Sequence, residues 1–257
     1  VVLTSDADND ITITAVNGNV TVSGNIDGTT GTTQNLTVVS GSGDVSIGSI
    51  GTTAATATVN EIEINKADTQ TGDISIGNIG SATFDGATGA AYIGNANTAI
   101  VTLSGSIYNF DNTVNIQAAA AGSNNDIRLT SASGTTIKSS NDTITFETGV
   151  IKLTAGETKI ESSGAKITLT DTRGSGDEDL KLDAGSSDTD AQVVVGRLGE
   201  GNGLAEITLS GADGVRLKGD ITTADHSGAK LDVKLIRGLD SKIQGEPTKK
   251  ARKGKNG

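Results

Sequence analysis

The chain has 257 residues, with 35 glycines, one proline, no cysteine, methionine or tryptophan, and a formal net charge of −11. That length accommodates one large domain or two smaller ones. The missing cysteines exclude disulfide stapling and the familiar zinc sites, and the acidic balance disfavours nucleic acid and anionic membranes as partners.

Only five aromatics are present, Phe84, Tyr92, Tyr108, Phe110 and Phe146, so a core must come from Ile, Val, Leu and Ala. Small aliphatics suit many thin, similar layers rather than one bulky interior. The β-branched residues recur in alternation, which argues for order rather than for a Gly/Ser-rich disordered chain. No apolar run approaches the roughly 18 residues of a membrane helix, so membrane insertion is not expected. The chain begins Val1-Val2-Leu3 without Met, as expected of a chain whose export signal has been removed, or of a piece of something longer.

In chain order, short apolar-polar-apolar segments come first at Ile11-Thr12-Ile13, Leu36-Thr37-Val38 and Ile62-Glu63-Ile64. Between them stands a longer motif. Gly43-Asp-Val-Ser-Ile-Gly-Ser-Ile-Gly51 and Gly72-Asp-Ile-Ser-Ile-Gly-Asn-Ile-Gly80 match almost position for position, 29 residues apart. A related copy, Gly18-Asn-Val-Thr-Val-Ser-Gly-Asn-Ile26, lies 25 residues before the first of these, with one extra residue. Such spacing fits one coil of a wide β-helix. Further triplets follow at Val101–Leu103, Ile127–Leu129, Ile144–Phe146, Ile151–Leu153, Ile167–Leu169, Leu180–Leu182, Val193–Val195, Ile207–Leu209 and Val215–Leu217. Each puts two side chains inside and one outside, with Gly, Asn, Asp or Ser at the turns. The alanine-rich run Gln117 to Ala121 ends in Gly122-Ser-Asn-Asn125 and reads as a loop or small-residue corner.

Many short strands with regular turns also suit an antiparallel sandwich or barrel. The motif repeat favours an all-β parallel β-helix, a β-solenoid of short strands and Gly/Asn/Asp turns, because stacked coils hold equivalent residues in register. A 25-residue coil predicts about ten coils and, at about 4.8 Å per strand, a rod on the order of 50 Å long. The expected organisation is regular solenoid coils over 1–120, further solenoid or a second β-rich segment over 121–241, and a basic tail over 242–257. The boundary near Ala121-Gly122 is placed where the long motif fades and outward Lys and Arg appear. Charge follows the same division: residues 1–120 hold one base, Lys66, against 11 acids, and the last 16 residues hold six bases against Glu246.

The segment Asn35-Leu-Thr-Val-Val-Ser-Gly-Ser-Gly-Asp-Val-Ser-Ile-Gly48 resembles the repeats of filamentous-haemagglutinin-type bacterial surface adhesins, over roughly residues 10 to 105. That resemblance implies a right-handed parallel β-helix, export and exposure at a cell surface. Residues 180–222 resemble the low-complexity β repeats of phage tail-fibre shafts.

Chemistry-bearing motifs are few. His226 is the sole histidine, and in Asp225-His226-Ser227 adjacent residues cannot converge on one reacting atom as a triad does. No Gly-x-Ser-x-Gly elbow, P-loop or dinucleotide fingerprint occurs, and no enzyme is expected. Asp6, Asp8 and Asp10 have the one-three-five carboxylate spacing of a calcium loop, but Ile11 stands where the turn glycine should be and Asn17 where the bidentate glutamate should be. Asp177 and Asp179, flanking Glu178, and Asp188 with Asp190 form similar acidic turns. Calcium is the cofactor such turns would take. Outward carboxylates such as Glu61 and Glu63 lack the aromatic platforms usual at sugar sites. In the tail, Lys249, Lys250, Arg252, Lys253 and Lys255 are expected to contact the acidic body of a neighbouring copy. The expected function is a secreted structural protein that self-associates into a filament or sheath. The alternatives are an adhesin segment binding cell-surface glycans and a phage-fibre-like shaft.

Overall fold

A computed structural model describes residues 10–29, 34–120, 126–140, 142–154, 156–186, 189–224 and 229–235. The protein is an all-β parallel solenoid of about 8 turns. One flank is a nine-stranded parallel sheet running from Ile11–Thr14 to Gly214–Leu217, and a 14-stranded sheet forms the rest of the wall.

The apolar-polar-apolar triplets found in the sequence are the rungs of these sheets. On the nine-stranded flank, Ile11 faces Leu36, Leu36 faces Ile62, and Ile62 faces Ala91. The same column continues through Val114, Ile144, Ile167 and Val193 to Val215. Coil length therefore varies from the 22 positions between Val193 and Val215 to the 30 between Val114 and Ile144. Long coils explain why about eight turns, rather than ten, occupy the described residues. Pairing also crosses residues 121–125 without a break, since Asp126–Leu129 lies against Ile100–Leu103.

The long motif builds a bent strand. In Val45–Ile50 the buried residues are Val45, Ile47 and Ile50, so alternation slips by one residue at Gly48-Ser49. The strand turns there, and Ile50 points inward from a second flank. Ile74–Ile79 repeats this design and stacks on it. Glycine is required at the bend because successive coils nearly touch: a Cβ on Gly77 would stand 1.7 Å from the carbonyl oxygen of Gly48.

Beyond Ile74–Ile79 each bent strand divides in two. Ile100–Leu103 pairs with its first half and Ile107–Phe110 with its end. The following coils keep two strands separated by a turn, as in Val150–Leu153 and Glu157–Ser162. This is the physical reason the motif fades and the triplets crowd after residue 100. Tyr108 fills the branch point. It is fully buried, and its hydroxyl accepts from the Gly105 amide at 2.8 Å and donates to the Ile76 carbonyl at 2.9 Å.

The core is a stack of Ile, Val and Leu, with Tyr108, Phe110 and Phe146 as its largest buried side chains. Gly77→Ala should destabilise the solenoid by on the order of 3 kcal/mol through backbone overpacking. Gly18→Ala, whose Cβ would meet nothing within 4 Å, should stay within about 0.5 kcal/mol of the parent. Urea unfolding of the two variants measures the difference.

Candidate functional site

The acidic turns come out differently from one another. Asp6 and Asp8 lie outside the described residues. Asp10 Oδ1 accepts from the Asn35 side-chain amide at 2.7 Å, one coil on. Asp177 is exposed, while Asp179 opens a strand and faces Glu157 on one side and Glu206 on the other. Between them Glu178 is only 1% exposed. It folds onto its own turn, accepting from the Ser175 amide at 2.7 Å, the Gly176 amide at 3.0 Å and the Ser175 hydroxyl. Burial opposes its ionisation, but these donors prevail and hold the carboxyl below its ordinary range. Hydrogen bonds thus occupy the carboxylate that would otherwise join Asp177 and Asp179 as a ligand. Among the described residues no three His, Asp or Glu side chains cluster closely enough to hold a metal ion. Asp188, Asp225, His226, Ser227 and the tail residues Lys249, Lys250, Arg252, Lys253 and Lys255 also lie outside the described residues.

The outward bases after residue 120 form a second constellation. Register places Arg128 beside Lys152, Lys152 beside Arg173 and Arg173 beside Glu200, so one column carries three bases in succession. Stacked like charges repel, and acids of the same and neighbouring coils offset them. Asp126 Oδ2 takes Lys152 Nζ at 2.6 Å and Arg128 Nη2 at 3.3 Å. Arg173 Nε meets Glu200 at 2.9 Å, and Arg197 joins Glu200 at 3.0 Å and Asp171 at 2.5 Å. Burial again opposes ionisation at Asp171, and Arg197 overcomes it, lowering the carboxyl's pKa. The more exposed of these pairs contribute about 0–1 kcal/mol each. Asp126 differs because its side chain is 1% exposed, and a buried acid stripped of its bases is costly. An open hollow of about 340 Å³ lies beside this column, between Lys152, Arg173, Ser175, Glu200 and Asn202.

A third constellation joins coils through side chains. The Asp44 amide donates to Asn19 Oδ1 at 2.9 Å, the Asp73 amide to Asp44 Oδ1 at 3.0 Å, and the Ile100 amide to Asp73 Oδ1 at 3.1 Å. The recurring Gly-Asn/Asp of the motif supplies this ladder. On the nine-stranded flank, the Glu63 carboxylate pairs with Lys66, whose ammonium sits 3.7 Å from the Tyr92 ring centre. Buried amides serve the corners: Asn95 Nδ2 reaches the carbonyls of Asn65, Ala67 and Gln70 at 2.6, 3.0 and 2.9 Å. The ion-pair column and the Asn95 corner were not foreseen. The column could have been found by aligning Arg128, Lys152 and Arg173 as outward residues of successive triplets.

These features define a β-solenoid repeat protein, stitched along its axis by main-chain pairing, amide ladders and alternating charge. Compared with protein-family models, curated proteins and solved structures, the chain matches none.

Asp73 gives a pH test of the ladder. Partial burial raises its pKa, and the charge of Asp44 adds to that rise against the Ile100 hydrogen bond and Arg128. A carboxyl with a raised folded-state pKa costs stability when ionised, and that cost vanishes as acid protonates it. Asp73→Asn keeps the acceptor for Ile100 and removes the charge. It should raise stability at pH 7, with the gain over the parent shrinking as pH falls through the carboxylate range, as followed by urea unfolding at several pH values.

Proposed function

We propose that this protein is an extracellular structural protein that self-associates into a surface filament or sheath, of the same kind as the filamentous-haemagglutinin-type surface β-helices its repeats resemble. One observation carries the reading. Parallel pairing runs from Ile11 to Leu217 on a single flank without a missing rung, and a stack of equivalent coils is a stiff axial element suited to carrying load or spacing. Asp171–Arg197–Glu200 and Asn19–Asp44–Asp73 tie neighbouring coils in addition to the main chain, which suits a rod that must resist fraying. In this reading the chain is not an enzyme. Its partners are copies of itself, with Lys249, Lys250, Arg252, Lys253 and Lys255 bound to the acidic shaft of a neighbour.

Deleting residues 246–257 tests the tail. Negative-stain images of the full chain should contain filaments, and the deletion should abolish them. Filaments that persist after deletion refute the tail's role. A full chain that stays monomeric at high concentration refutes self-association and favours a glycan-binding adhesin segment. Intimate trimers favour a fibre shaft.

A further inference from the structure

The two ends of the solenoid match in shape and differ in charge. Among the described strands, Ile11–Thr14 and Val20–Ile26 pair on one side only, with Leu36–Val39 and Val45–Ile50. At the other end Gly214–Leu217 pairs only with Gln192–Val195, and Lys230–Leu235 only with Glu206–Gly211. Each end therefore presents a row of unpaired amides and carbonyls, the template on which a further strand adds. The apolar columns are also incompletely covered there. Ile11, Ile13 and Val22 at one end, and Val215, Leu217 and Ile221 at the other, are only partly buried. Their mid-shaft equivalents Ile62, Ile64, Ile144 and Ile167 are 0% exposed, because a coil lies on either side.

Charge selects what covers these edges. Residues 1–29 carry Asp6, Asp8, Asp10 and Asp27 and no base, whereas residues 214–235 carry Arg216, Lys218, Lys230 and Lys234 against three acids. Joining two N-terminal ends would press acid on acid and would pair their edges antiparallel. Joining opposite ends brings unlike charge together and continues the parallel ladder. The column registers coincide as well: Ile11 and Val215 are the two termini of one column, Thr12 and Arg216 of the next, and Ile13 and Leu217 of the third.

Resting on the self-association proposed above, we infer that a second copy of this chain docks head to tail, with Ile11–Thr14 adding in parallel to Gly214–Leu217 so that the nine-stranded sheet runs on from copy to copy. Ile11 then covers Val215, Ile13 covers Leu217, and Thr12 lies beside Arg216. Such a joint is heterologous and does not close, so it generates an open fibre. With nine strands in the sheet and a spacing of about 4.8 Å, each copy advances the fibre by about 43 Å.

The chain has no cysteine, so introduced thiols report the joint without background. Facing residues on adjacent strands stand about 4.8 Å apart, within disulfide reach. Thr12 and Arg216 are both exposed, so their replacement should leave the fold intact, which circular dichroism checks. Under mild oxidation the double variant Thr12→Cys/Arg216→Cys should give a ladder of covalent multimers on denaturing gels. A mixture of the two single variants should stop at dimers, and each single variant alone should remain monomeric. Dimers from Thr12→Cys alone would overturn the head-to-tail joint in favour of a head-to-head one. The joint also fails if the double variant sediments as assemblies yet cross-links no more than the mid-shaft control Thr145→Cys. That result leaves self-association standing, whereas sedimentation as monomer at every concentration removes both.

Discussion

Each coil of this solenoid is held to its neighbours by parallel main-chain hydrogen bonds in register, which sets every residue beside its counterparts one coil before and one coil after. Like therefore stacks on like, at a separation of about 4.8 Å. For apolar side chains the constraint is wholly favourable, and Leu36, Ile62, Val114, Ile144 and Ile167 form a single dry column. For charges it is costly. The wall accordingly carries Thr12 on Thr37, Ser46 on Ser75, and Lys138 on Glu161. Where equal charges do stack, as at Arg128, Lys152 and Arg173, the neutralising acids come from beside the column, and Asp126 is buried among their side chains to reach two of them.

The same constraint explains the polar interior. A chain that turns three times per coil must bury main-chain groups at its corners, and those groups need partners. Asn65 adopts a positive φ of 46° at one corner, and its side chain exchanges hydrogen bonds with Ser40. Asn95 repeats the service one coil later by donating to three carbonyls. These amides do locally what the strands do along the flanks, and they carry the stitching around the bends.

Much of the fold was legible because stacking writes itself into the sequence. The match of Gly43–Gly51 with Gly72–Gly80 is the register of Val45–Ile50 on Ile74–Ile79 seen in one dimension. The motif's disappearance beyond residue 100 was legible too, but its cause was not. Splitting one bent strand into Ile100–Leu103 and Ile107–Phe110 conserves the inward columns while moving the corner glycine, and only the position of Tyr108 reveals that the wall is continuous. The acidic turns misled for a different reason. Asp177-Glu178-Asp179 looks like a ligand cluster when charges are counted, yet strand alternation and the turn at Ser175 send Glu178 inward to cap its own main chain. Composition reports which charges are present; the direction each one faces depends on the register of the strand that follows.

In-register stacking has no intrinsic end. A coil in mid-shaft is stabilised by two interfaces and a terminal coil by one, so free energy in such arrays resides largely in nearest-neighbour contacts. A solenoid of about eight turns leaves a larger share of its coils at an end than a longer one would, and its terminal coils gain most from a further layer. Uniform charge along the shaft would oppose that gain equally at both ends. Here the acids dominate residues 1–120 and the bases gather beyond them, so repulsion is strongest between like ends and weakest between unlike ones. A charge gradient along a stack of otherwise equivalent coils gives the rod a polarity that its hydrophobic columns, nearly the same from coil to coil, could not supply.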